Sequence, residues 1–488
     1  MLNAVLKSKE YRPRRPAESL LYKVVNDNLD EFYRELESNP DARGLPYFVK
    51  GEFEKFLGCG FYESGMTRVG CKDGKCGENY WVPTSCKGRG FCVSCGGRRM
   101  NEFAINLDER VIPEVPVRQY VVSVPIPLRY WMLSNHGLTL MVNRIIIRAI
   151  TSLLRKKARK LGVVDGMAGA VTFIQRFGSG LNSHIHYHII VMDGVFKKCP
   201  EEKYVPEFVP TTIVDEDIEA LVKRISRGVT KQLVKKGLLE ELTLQPTDNC
   251  EQLNQDDSES LSACKSASAR SLIAFGVRSG QKVRRVGANI FGYGHEPATI
   301  TAPLCANYGG FSVHAARVVE NDDRPGLRKL ISYIARPAIS LERLSLTERG
   351  EIKVEIKTPW PDGTTALILS PTEMLERLAA LVPYPEKNLV IYSGCLAPHH
   401  NSRIDIVPAE PDPPKSDSAT EADSTTEPRK RHIPWALLLK KTWNIDVFTC
   451  RKCGGPTRVM AFISDPGDVI KIMAAFNLYC RPPPCSKY

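Results

Sequence analysis

Residues 181–194 read LNSHIHYHIIVMDG and place His184, His186 and His188 at every second position of an apolar run. Alternation with Ile185, Tyr187 and Ile189 predicts a β-strand whose three imidazoles share one face, because successive strand side chains point to opposite sides. Asp193-Gly194 is expected to be the tight turn that closes it. Residues two apart on a strand are separated by roughly 6.5–7 Å, so two imidazoles can lean inward onto one metal ion. One histidine here would be read as a hydrogen-bonded, half-buried strand residue. Three of the chain's nine on one face favour a metal site over that reading.

At 488 residues the chain exceeds one ordinary core, so about two to four domains are expected. Lys and Arg outnumber Asp and Glu by 67 to 55, a net +12 that suits a polyanionic partner. Fifteen cysteines in a chain that opens MLNAVLKSKEYRPRRP, without a charged-then-apolar leader, fit a reducing cytoplasm better than a secreted disulfide scaffold. The most apolar helical stretch, LMVNRIIIRAITSLL, is interrupted by Asn143, Arg144 and Arg148, so no membrane-spanning segment is expected.

The cysteines are clustered, with Cys59, Cys71, Cys76, Cys86, Cys92 and Cys95 in one Gly-rich segment that contains no histidine. The short separations 71/76 and 92/95 predict two zinc knuckles joined on one tetrahedral Zn²⁺ as a zinc-ribbon-like module, with Cys59 and Cys86 as alternative or extra ligands. Free buried cysteines are the alternative. A rigid zinc module carrying Lys87, Arg89, Arg98 and Arg99 would suit a DNA backbone. Near the other end, Cys450 and Cys453 supply half of a second site, which Cys480 and Cys485 could complete.

Between these regions, 118–130 and 170–177 read as strands and 136–161 as an amphipathic helix. Residues 214–237 repeat apolar positions at helical spacing behind an acidic first turn. This alternation predicts a compact α+β domain whose sheet carries the histidines. Residues 245–272 are polar and acidic and are expected to be a surface insertion. The basic run 278–287 is either a solvated loop or a nucleic-acid contact. A Pro, Ser, Thr and Asp-rich run predicts a flexible linker. The expected domains are 1–105, a zinc-binding DNA-binding module; 106–405, the sheet domain; 406–432, the linker; and 433–488, a small module with the second Cys-x-x-Cys.

Several separate blocks in order carry a resemblance: SCKGRGFCVSCGGRRM (85–100), VPIPLRY (124–130), QRFGSGLNSHIHYHIIVMDGV (175–195), LRKLISYIARPAIS (327–340), PWPDGTT (359–365), MLERLAALVP (374–383) and CRKCGG (450–455). The chain resembles the rolling-circle transposases of the insertion sequence ninety-one and ISCR type, within the HUH endonuclease superfamily. There two histidines flank a bulky residue, here His186 and His188 around Tyr187.

The resemblance implies an antiparallel palm-like sheet with helices. It implies Mg²⁺ or Mn²⁺ on His186 and His188, with Gln175 or His184 as third ligand. It also implies a nucleophilic tyrosine at Tyr333. Members with paired nucleophiles carry a second tyrosine where this chain has Lys329, so it matches the single-tyrosine branch. Lys329, Tyr333 and Arg336 are spaced to share a helical face, and the two cations would favour the phenolate or hold a phosphate. The implied activity is nicking and rejoining of single-stranded DNA at element ends and target through a 5′-phosphotyrosine, in the bacterial cytoplasm at the nucleoid. Either one tyrosine is reused or a homodimer supplies two. A replication initiator with the same chemistry and a non-catalytic zinc-dependent DNA-binding protein are the alternatives.

Overall fold

A computed structural model describes residues 11–37, 44–197, 206–247, 257–288, 302–408 and 433–479. The linker expected at 406–432 lies outside the described residues from 409 onward, as do Cys480 and Cys485.

The chain begins with α1 (Leu20–Glu37) and α2 (Tyr47–Gly58), which bury Leu21, Val25, Phe32, Val49 and Phe53 against each other's neighbours. A hairpin of β1 (Met66–Cys71) and β2 (Asn79–Pro83) follows, and then α3 (Val93–Arg110).

The central part runs β3 (Val117–Ser123), α4 (Ile126–Ser134), α5 (His136–Lys160), β4 (Gly166–Met167), β5 (Gly169–Phe177), β6 (Ser183–Met192), β7 (Gly194–Lys197), β8 (Phe208–Pro210) and α6 (Asp215–Lys235). It continues with α7 (Glu259–Arg270), β9 (Arg284–Val286), β10 (Cys305–Tyr308), β11 (Phe311–His314), β12 (Val318–Val319), α8 (Arg324–Ile334), β13 (Leu344–Leu346), β14 (Ile352–Glu355), β15 (Ala366–Leu369), α9 (Pro371–Leu381), β16 (Val390–Gly394) and α10 (Arg403–Ile406). The C-terminal module comprises α11 (Trp435–Trp443), β17 (Thr457–Ile463) and α12 (Pro466–Phe476).

The architecture is α+β with antiparallel sheets. The main sheet has the order β10-β11-β3-β6-β5-β16, with β12 also pairing with β3. Both faces are covered, so its inner strands bury apolar residues on both sides. One face buries Tyr120, Val122, Ile174, Tyr187 and Ile189 with α5 and α6. The other buries Val117, Phe173, Ile190 and Met192 with α3 and α8. By length and composition α5 could cross a membrane, yet its stripe Val142, Ile146, Ile150 and Leu154 packs into the first of these cores, and its last turn is basic. A smaller sheet, β13-β14-β15-β9, packs with α1 and α9 in a further core.

Three expectations are corrected. The strand expected over 118–130 stops at Ser123, because Pro125 and Pro127 open α4. Asp193-Gly194 is a corner between sheets rather than a hairpin turn. There Arg118 grips the Asp193 carboxylate through two hydrogen bonds of 2.8 and 2.6 Å, and a Cβ on Gly194 would meet the Val209 carbonyl at 2.3 Å. The expected surface insertion contains α7, whose Leu261, Cys264 and Lys265 are buried. Lys265 is neutralised there by Asp257 at 2.7 Å, so a polar composition conceals a core helix. The Ser268 hydroxyl of α7 accepts from Ser183 N–H at 2.9 Å and holds the first residue of β6.

Candidate active site and zinc clusters

β6 projects His184, His186 and His188 from one face of the main sheet, between β3 and β5. His186 Nε2 and His188 Nε2 stand 3.1 Å apart. Two nitrogen ligands about 2.1 Å from a shared ion and at right angles to each other would be about 3 Å apart, so this spacing fits a common ion. The backbone supplies His186 with an acceptor for Nδ1–H, the His184 carbonyl at 3.0 Å, which leaves the Nε2 lone pair available. Gln119 Nε2 lies 2.8 Å from His188 Nδ1, and turning the amide over, which exchanges its nitrogen and oxygen, would give His188 the same kind of Nδ1–H acceptor. Burial is the main reason the three imidazoles are hard to protonate, holding His184 and His188 at about 3 and His186 at about 4. Arg129 and Arg336 add to this by placing positive charge beside them.

His184 does not converge with the pair. Its ring stacks on His186 at 4.7 Å and 27°, a packing contact. Gln175 lies directly opposite His186 in the β5–β6 register, and its amide donates to the Ile334 carbonyl at 2.5 Å. That bond ties the histidine sheet to the end of α8.

Tyr333 occupies the last turn of α8, where Leu327, Leu330, Ile331 and Ile334 face the core and leave Tyr333 45% exposed. Its ring meets His188 edge to face at 6.3 Å. The Arg336 guanidinium sits 4.4 Å above the ring and Lys357 Nζ 5.7 Å from it. α8 ends at Ile334, so Arg336 reaches Tyr333 from the following loop and not from the helical face expected of it. Lys329 is exposed one turn earlier.

The cysteines pair differently from the expectation. Cys59, Cys86, Cys92 and Cys95 converge in one quartet, and Cys71, Cys76, Cys450 and Cys453 in another. In the first, Cys59 Sγ is 3.7 Å from both Cys92 and Cys95, and Cys86 is 3.4 Å from Cys95. In the second, Cys71–Cys453 is 3.4 Å and Cys76–Cys450 is 3.7 Å. A disulfide would need about 2.05 Å. Four sulfurs about 2.3 Å from one Zn²⁺ are about 3.8 Å apart along each tetrahedral edge, so both quartets fit zinc.

Comparison with protein families matches residues 169–403 to one described as putative transposase and residues 26–124 to a transposase zinc-binding domain of IS91 type. The chain belongs to the IS91 family of transposases. No curated protein and no solved structure matches it. The transposase match spans the histidine strand and α8, and the zinc-domain match spans the first quartet, while Cys450 and Cys453 fall outside both.

An IS91-family transposase binds and processes DNA and carries structural zinc. The basic side chains expected to hold that DNA are partly engaged within the transposase. Arg99 donates to the Gly88 carbonyl at 2.9 Å and Arg89 to the Lys387 carbonyl, while Arg98 is half-buried on α3. The arginines of 278–287 are ion-paired: Arg278 with Glu373, Arg284 with Glu351 and Arg285 with Asp362. Sequence reasoning passed over Gln119, Arg129 and Lys357. Gln119 had a signal, a polar residue in the apolar strand VRQYVVS, on the face that β3 shares with the histidines.

Proposed function

We propose that this transposase is a single-tyrosine HUH nuclease that nicks and rejoins single-stranded DNA, with Tyr333 as nucleophile and His186 and His188 as metal ligands. The main sheet is then the palm of that fold. The observation that carries the reading is Tyr333 edge-on to His188 on an exposed helix end. Two neutral imidazoles aimed at one point, with the Gln175 amide opposite His186, suit a divalent cation such as Mg²⁺ or Mn²⁺. Bound there, such an ion supplies Lewis-acid polarisation of the scissile phosphate.

The chain's own groups do the rest. Tyr333 Oη attacks phosphorus in line with the 3′ oxygen, forming the O–P bond of a 5′-phosphotyrosine as the P–O3′ bond breaks. The phenol loses its proton to solvent and the departing oxygen takes one up as a 3′-hydroxyl. Arg336 and Lys357, stacked on the ring, and Arg129 beside the histidines offset the negative charge that gathers on phenolate and phosphate. The linkage keeps the energy of the broken diester, so the 3′-hydroxyl of another strand can reverse the step without ATP. A single tyrosine serves both ends of a rolling-circle element, by reuse or by a second protomer.

The test is incubation with labelled single-stranded DNA from the element's ends, with Mn²⁺ or EDTA, beside Tyr333→Phe. A protease-sensitive adduct that needs metal and vanishes in the variant is expected. Binding to verified end sequences without any adduct would reject the reading.

A further inference from the structure

Beside the histidine site a cleft opens between the N-terminal zinc domain and the main sheet. Its walls include Arg89 and Arg99 from the zinc domain, Phe173 and Arg176 from β5, and Arg336 and Pro337 from the loop after Tyr333. No carboxylate is among its described lining residues. Four arginines thus line a space whose other walls are mostly apolar, with Phe103 edge-to-face on Phe173 at 5.6 Å beneath it.

Arg176 is the informative member. It is 8% exposed, its Nη2 reaches only the Leu133 carbonyl at 3.4 Å, and its Nε has no hydrogen-bond partner among the described residues. Asp257 and Tyr384 act on it through space, but Asp257 is held by Lys265 at 2.7 Å. Glu52, the acid facing Arg89, spends one oxygen on the backbone N–H groups of Arg89 and Gly90, both at 3.0 Å. A buried guanidinium without an ion pair among the described residues is costly, and replacing it with an apolar residue of similar size would be expected to stabilise the fold. Such a side chain is suited to an anion that arrives from outside.

We infer that this cleft takes one nucleotide of the bound single strand next to the scissile phosphate, its phosphate on Arg176, Arg89 and Arg99 and its base against Pro337. The inference rests on the nicking reading for its position. Residues 334–338 line the cleft directly after Tyr333, and Gln175 lines it while pairing with His186, so a strand leaving Tyr333 enters it at once. Guanidinium forks suit phosphate, and a proline wall suits any base face. The zinc domain would thereby contribute directly to holding the strand that is cut.

The test uses full-length protein and an element-end oligonucleotide in which one phosphate at a time is replaced by a neutral methylphosphonate. In the parent, one replacement flanking the cleavage position should weaken binding about tenfold, the effect of a single charge-assisted contact. In Arg176→Met the same replacement should have no further effect, while the melting temperature is unchanged or higher. Arg89→Gln provides a second, partly exposed variant with the same expected loss of sensitivity. Equal affinity of parent and both variants, or additive losses at every position, overturns the cleft. The adduct assay on the same oligonucleotide separates the two ideas: sensitivity that depends on Arg176 without any adduct rejects nicking and leaves the cleft standing.

Discussion

The two cysteine quartets use the same chemistry and differ in everything else. Cys59 and Cys95 are 36 positions apart and, with Cys92, are buried against Phe56, Phe61 and Phe91. The other quartet joins residues 374 and 382 positions apart, and Cys453 is exposed. For a free chain, closing the longer loop costs about 2 kcal/mol more, since closure entropy rises with the logarithm of its length. The strand pair β1–β17, which runs from Met66–Ile463 to Cys71–Thr457, helps to offset that cost. One quartet is thus closed by near neighbours in sequence and sits in a core shared with α7, α9 and the smaller sheet, and the other is a clasp that joins segments far apart in the chain into one sheet, β17-β1-β2.

The contrast is broken most severely from the buried side. Cys92→Ser should abolish the local site and destabilise the N-terminal domain by about 4 kcal/mol or more, read as one zinc lost per chain and an early urea transition. Cys453→Ser should also lose one zinc, yet leave that domain folded. Its cost, about 2 kcal/mol, should appear as faster protease cutting beyond residue 408. If this variant instead unfolds the N-terminal domain, the two sites are not separable.

A chelator should remove zinc in two phases, the clasp first because Cys453 is exposed, and Cys453→Ser should show the slow phase alone. The smallest effect belongs to the ion pair that Lys441 of α11 makes with Glu109 of α3 at 2.7 Å. Lys441→Met should change release of the C-terminal module by under about 1 kcal/mol, measured by the same protease assay, because partly exposed pairs contribute little. A larger change would mean that electrostatics, rather than metal and strand pairing, hold the module.

The cysteines also show where sequence reading stopped. Short spacing suggested joining 71/76 with 92/95, but Cys71 at the end of β1 and Cys76 in the β1–β2 turn meet the Cys450–Cys453 knuckle that precedes β17. Adjacency along the chain identifies knuckles and says nothing about which knuckles meet. Residues 258–270 misled for a related reason: a helix of Ser, Lys and Cys reads as surface until Asp257 and Tyr384 arrive to satisfy Lys265. The histidine strand was legible because period-two alternation is a local property of the backbone. The helix around Tyr333 was legible as well, though its end at Ile334 was not.

By itself the sequence determined that three histidines share a strand face, that cysteines occur as metal knuckles, that the net charge is +12 and that the blocks of a transposase occur in order. Those are properties of residue identity and near-neighbour spacing. Tertiary structure alone decided that Tyr333 meets His188 and not open solvent, that His184 stacks on its neighbour, that Gln119 supports His188 from another strand, and which four thiols form each quartet. Each of these is a contact between segments distant in the chain. It is set by the packing of both sheet faces and by strand register, which no local pattern encodes.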